Sequence, residues 1–213
     1  MDISLDQLLR EFVALWVVID PIGTIPVFIA VTAGISAAAR KRVAFKATFV
    51  ATIILLFFIV AGQRLLEAME IHLEAFQLAG GIILFMFAVT MIFGESKPEQ
   101  ETSELRGDVS YMAIFPLAMP SLASPGAMLA VVMLTDNHRY SLENQILTFG
   151  VMLVVMLITL GLLLLAGPIQ RLIGMSGASV VSRVMGLVLA SVAVDNILNA
   201  VVSFFGLQVP GIQ

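Results

Sequence analysis

The sequence predicts an all-α integral membrane protein, six transmembrane helices in two inverted three-helix repeats, with helices 1 and 4 broken at paired prolines. Three observations carry this. Hydrophobic residues make up 60% of the 213 and charged residues 12%, with a mean hydropathy of +1.04; a soluble domain of this length needs more charge to cover its surface. Six apolar stretches reach the roughly 20 residues that cross hydrocarbon, at about 8–33, 43–66, 76–94, 111–134, 145–170 and 184–206. The first and fourth of these each contain a Pro-x4-Pro pair, Pro21 and Pro26 in one, Pro120 and Pro125 in the other.

The first stretch, with its acidic start at Asp2 and Asp6, is too long for the apolar region of a cleavable signal. In its middle stand Asp20, Pro21, Gly23 and Pro26. Proline removes a backbone donor and clashes with the preceding turn, so the helix should break there. Asp20 before Pro21 reads as an N-cap followed by proline at the first helical position, which starts a second half-helix at membrane depth. Such a break is tolerated in a bilayer only where it is buried in protein or lines a polar cavity.

The second stretch follows Arg40, Lys41, Arg42 and Lys46, and the third opens near Gly80-Gly81. Residues 95–108 then form the long polar linker, so the chain divides into a first repeat at 1–94, a cytoplasmic linker at 95–110 and a second repeat at 111–213. Lys and Arg concentrate in the first, third and fifth connections: Arg40, Lys41, Arg42, Lys46, Lys97, Arg106, Arg171 and Arg183, against Arg10, Arg64 and Arg139 on the other side. The positive-inside rule therefore places both termini outside the cytoplasm.

The fourth stretch repeats the first. Ser121, Ser124 and Gly126 flank its prolines, and Ser124 before Pro125 is a second cap signature. The sixth repeats the third: Gly81-Ile82-Ile83-Leu84 aligns with Gly186-Leu187-Val188-Leu189, and Ala88-Val89 with Ala193-Val194. Three spans per half make the repeat inverted, and two broken helices at matching positions point to a transporter site at the midplane.

Asp20 and Asp195 are the ionisable residues expected well inside spans. An ionised Asp at the centre of a span costs about 2.5–3.5 kcal/mol even on the lenient insertion scale, so neither should face lipid. Asp20 reads either as a cap on the amides of Ile22 or Gly23 or as a ligand for substrate or ion. A cap can also hold an ion. Asp195, Asn196 and Asn199 form a polar set with Ser191 one turn earlier, read either as interhelical glue or as an ion-coupling site. Thr90 aligns with Asp195 and is expected to bond its own helix. Helix starts at both breaks would aim positive ends at one volume, suited to a carboxylate, with Gly23 and Gly126 allowing a small ligand close. The substrate-binding candidates are thus Asp20, Gly23, Thr24, Ser121, Ser124 and Gly126.

No cysteine is present, which excludes disulfides, thiolate metal sites and a cysteine nucleophile. No phosphate loop, zinc spacing or nucleophile–base pair appears, so neither an enzyme nor a cofactor is expected, apart from Na+ or H+ as coupling ion. His72 and His138 read as solvated loop residues, and the twelve methionines as packing. The expected partners are a small-molecule substrate and the bilayer. A homo-oligomer is compatible with the sequence, and no basic run suggests nucleic acid.

Four motifs, Asp20–Phe28, Phe76–Phe85, Pro116–Gly126 and Arg183–Leu187, resemble the MarC/SnatA family of six-span membrane proteins, in order and over essentially the whole chain. The resemblance implies a multi-pass protein of the inner or cytoplasmic membrane and the neutral amino-acid transporter class. Its archaeal SnatA branch is associated with cation-coupled uptake of glycine and alanine. One departure stands out: after Ala193-Val194, where the family pattern implies glutamine or another neutral polar residue, this chain carries Asp195. The leading expectation is a secondary transporter of small neutral amino acids. An exporter of amino acids or related metabolites is the alternative, with a passive channel behind it.

Overall fold

The computed structural model describes residues 5–32, 34–93, 109–137 and 140–207. All regular structure among them is helical: α1 Leu5–Ile19, α2 Pro21–Val31, α3 Ala37–Ala68, α4 Leu73–Phe93, α5 Val109–Met112, a segment of π-helical pitch at Ala113–Leu122, α6 Pro125–Leu134, α7 Leu142–Leu164 and α8 Ala166–Phe205. Five stretches are long and apolar enough to cross a membrane: Leu5–Ile29, Ala37–Ala68, Leu73–Phe93, Leu142–Leu164 and Arg183–Phe205. The pair Val109–Leu122 and Pro125–Leu134, bent by 56°, makes a sixth when counted as one span. The expected linker at 95–108, His138 and Arg139 lie outside the described residues.

The fifth span differs from expectation. It ends at Leu164 rather than near 170, and the connection expected to hold Arg171 and Arg183 is helical, continuous with the sixth span. Pro168 falls in the first turn of α8, where the missing amide costs nothing. The 40 residues of α8 extend about 60 Å, twice the hydrocarbon thickness, so only their apolar second half is needed to cross it.

Residue size is arranged for a lipid solvent. On α3 the buried face is Val43, Ala44, Ala47, Thr48, Ala51, Leu55 and Gly62, while Phe45, Phe49, Ile53, Phe57 and Val60 point outward. Lipid tails solvate a phenylalanine as well as a core does, so helices associate through small residues that let backbones approach. Serine caps open α3 and α7: Ser36 Oγ accepts from the Ala39 amide at 3.2 Å on α3, and Ser141 Oγ from the Asn144 amide at 3.4 Å on α7.

Two packed groups result. The larger joins α1, α2, α3, α6, α7 and the π-type segment around Leu15, Ile19, Leu55, Leu117, Leu122 and Met152. The smaller joins α4 and α8 through Leu84, Ala88, Leu189, Ala190 and Ala193. These two helices run antiparallel with a reciprocal contact. A Cβ placed on Gly81 would stand 3.2 Å from the Ala193 carbonyl oxygen, and one on Gly186 would stand 3.0 Å from that of Ala88. Each glycine of one helix thus faces the alanine seven residues beyond the other glycine.

Candidate functional site

The first break is one residue wide. Asp20 has φ 50, in the left-handed region that aspartate tolerates better than most residues. Its amide still donates to the Trp16 carbonyl at 3.0 Å, and its own carbonyl accepts from the Thr24 amide at 3.1 Å and the Thr24 hydroxyl at 2.9 Å. Its Oδ1 accepts from the Gly23 amide at 2.9 Å, which makes Asp20 the cap of α2. Pro21 opens α2, but Pro26 lies inside it. The first helix therefore breaks at the first proline of its pair and not across the whole interval.

The fourth span is disturbed over a longer stretch. Phe115 (φ −126, ψ 128) and Met119 (φ −137, ψ 125) are extended, as expected of residues that precede prolines, here Pro116 and Pro120. Helical pitch widens between them, and the Ala123 amide donates five residues back to Ala118 at 2.8 Å. Ser124 then caps α6: its Oγ accepts from the Ala127 amide at 3.0 Å, with Pro125 in the first helical turn. Here the second proline of the pair opens the half-helix.

The two breaks meet. The Ser124 hydroxyl donates to the Val18 carbonyl at 3.0 Å, an oxygen whose donor in a continuous helix would be the Ile22 amide beyond Asp20. Asp20, Thr24, Ser121 and Ser124 are all 2–5% exposed. Gly23 and Gly126 are buried too, and α4 reaches the first through Met91 and the second through Leu84. A Cβ on Gly23 would fall 2.0 Å from Asp20 Oδ2 and 2.8 Å from Met91 Cε, and one on Gly126 would fall 2.7 Å from Leu84 Cδ2. In this arrangement the space beside the glycines is filled by the protein's own side chains.

Asp195 stands apart from this group. Expected to be buried, it is exposed on the outer face of α8, and it lines an open depression of about 410 Å³ with Phe85, Ala190, Ser191, Val194 and Leu198. Asn199 Nδ2 donates to its Oδ2 at 3.0 Å, while Asn196 is half-buried next to it. The buried stripe of α8 runs through Leu189, Ala193 and Ala200, and position 195 falls off it. Thr90 Oγ1 donates to the Phe87 carbonyl at 2.7 Å, as expected of a self-bonded threonine. His72 is exposed.

A third acidic residue, which sequence reasoning passed over, is buried inside a span. Glu11 is 6% exposed; its Oε2 accepts from Thr148 Oγ1 at 2.8 Å and its Oε1 from Gln7 Nε2 at 3.0 Å. The signal was periodicity: Glu11 shares the helical face of Leu15, Val18 and Ile19, all buried.

A family model described as "MarC family integral membrane protein" matches residues 5–205. The chain is 33% identical over 199 residues to a UPF0056 membrane protein of Archaeoglobus fulgidus, covering 92% of this chain and 93% of that one. It is 32% identical to the UPF0056 membrane protein MJ1677 of Methanocaldococcus jannaschii, covering 93% and 97%. Against the UPF0056 membrane protein YhcE of Escherichia coli the identity is 29%, covering 92% of each. No solved structure matches the chain.

Proposed function

The chain belongs to the MarC family of integral membrane proteins, and on that premise we propose that it is a secondary transporter of small neutral amino acids such as glycine or alanine, driven by a Na+ or H+ gradient. The observation that carries the reading is the bond between Ser124 and the Val18 carbonyl, which joins two interrupted helices inside the protein. Broken helices that face each other at depth form substrate and ion sites in transporters built from repeats. The reciprocal packing of Gly81 on Ala193 and Gly186 on Ala88 supports the inverted repeat.

In this reading the substrate carboxylate docks on the amide ends of α2 and α6, near Gly23 and Gly126, with Thr24 and Ser121 as polar walls. The coupling cation or the substrate ammonium sits at Asp20. The Val17 carbonyl lost its helical donor to Pro21 and serves as a second oxygen for a hard cation. Ligand entry displaces Leu84 and Met91, the side chains packed beside the two glycines. Asp195, with Asn196 and Asn199, acts as a separate coupling site on the outer face of α8. The protein resides in the cytoplasmic membrane with both termini outside the cytoplasm.

Uptake and counterflow in liposomes, with a panel of amino acids and with Na+ and pH gradients imposed separately, test this. The expected result is saturable flux of a small neutral amino acid that responds to the imposed ion gradients. Flux that neither saturates nor responds to a gradient would mark a channel instead.

A further inference from the structure

We propose that the cavity between the N-terminal turns of α3 and α8 binds a phosphate group, carried by an anionic lipid headgroup or free in solution. This site is separate from the transport site. The cavity has a volume of about 230 Å³ and is lined by Ala37, Arg40, Lys41, Leu164, Gly167 and Pro168 among others. A water occupies about 30 Å³ in the liquid, so a phosphate group fits with room for its substituent.

Four features call for an anion there. Arg40 and Lys41 both line the cavity, and no carboxylate among the described residues does. Among the described residues the buried Arg40 Nε has no hydrogen-bond partner, and its Nη2 reaches the Thr32 carbonyl at 3.5 Å. A guanidinium has five donors, and a phosphate oxygen is the acceptor that its planar fork fits best. The two cations stand close to the start of α3, where the helix dipole is itself positive, an arrangement that is unfavourable without a counter-charge.

The fourth feature is the start of α8. It has no side-chain cap, and neither α3 nor α8 has an acidic residue in its first turn. The amides of Ala166 and Gly167 therefore begin a helix beside two cations, with no acidic side chain among the described residues lining the cavity between them. Gly167 adds space: a Cβ there would be 3.6 Å from Arg40 Nη1. The cavity lies where the apolar fifth span ends, at Leu164, and on the side where Lys and Arg concentrate. Basic pockets between helices on that side hold anionic headgroups.

The test uses the full chain purified in detergent and reads its thermal unfolding midpoint. Phosphatidylglycerol, phosphatidylcholine and inorganic phosphate are added in separate arms. Phosphatidylglycerol should raise the midpoint by roughly 2–4 °C over phosphatidylcholine at near-saturating concentration, and Arg40→Gln/Lys41→Gln should lose that difference. Gly167→Glu provides a second variant. It places a built-in anion at a helix start, which favours folding, and it should lose the lipid response while Arg40 remains. A shift with inorganic phosphate alone that equals the lipid shift assigns the site to free phosphate. The proposal fails if the lipid response survives in either variant, or if neither phosphate source moves the midpoint of the unaltered chain.

Discussion

Ser124 Oγ donates to the carbonyl of Val18 at 3.0 Å while accepting from the Ala127 amide at the same distance. One hydroxyl thus caps α6 and closes the backbone group that the interruption at Asp20 leaves open. Ser124→Ala removes both bonds. Loss of the cap costs about 0.5–2 kcal/mol, and a buried carbonyl left unpaired costs about 1–3 kcal/mol. The variant should show a lowered unfolding midpoint and reduced uptake, and Ser124→Thr should restore most of both. An alanine variant as stable and active as the parent would mean that the contact between the breaks is incidental.

Asp20→Asn separates the cap from the charge. Asparagine caps a helix about as well as aspartate, so the bond to the Gly23 amide and the fold should survive. Gradient-driven uptake should fall to background. Full uptake by a folded Asp20→Asn protein removes Asp20 from the coupling site.

Asp195→Asn tests the exposed carboxylate by a different readout. The side chain faces outward, with Asn199 as its bonded neighbour. Uptake under a Na+ gradient should persist, and the response to an imposed pH gradient should disappear. If both responses are unchanged, Asp195 has no part in coupling.

Glu11→Ala removes one of the two acceptors within reach of the Thr148 hydroxyl, whose single proton can then go to the Asn144 carbonyl at 3.1 Å. The loss should destabilise the chain by about 0.5–1.5 kcal/mol, read by thermal unfolding in detergent. Glu11→Gln keeps an acceptor and should recover at least half of the loss.

A reporter fused after Gln213 should be accessible from outside the cell, and one inserted in 95–108 should be cytoplasmic. Both in one compartment would overturn the orientation drawn from the Lys and Arg distribution.

The sequence by itself determined the membrane class, the existence of the spans and the two helix starts at Pro21 and Pro125. These are local properties. Apolar length sets a span, and Asp20-Pro21 and Ser124-Pro125 carry their caps within four residues. What packs against what is not local. Pro26 is absorbed inside α2 while Pro120 lies in a stretch of altered pitch, although both sit in the same Pro-x4-Pro spacing. Asp195, expected to be buried, is exposed, and Glu11, for which no place was expected, is buried, because the neighbours of a helix decide which of its faces is covered. In a membrane span nearly every face is apolar, so hydropathy marks depth and leaves rotation about the helix axis open. Tertiary packing decided that rotation, and with it the bond between Ser124 and Val18.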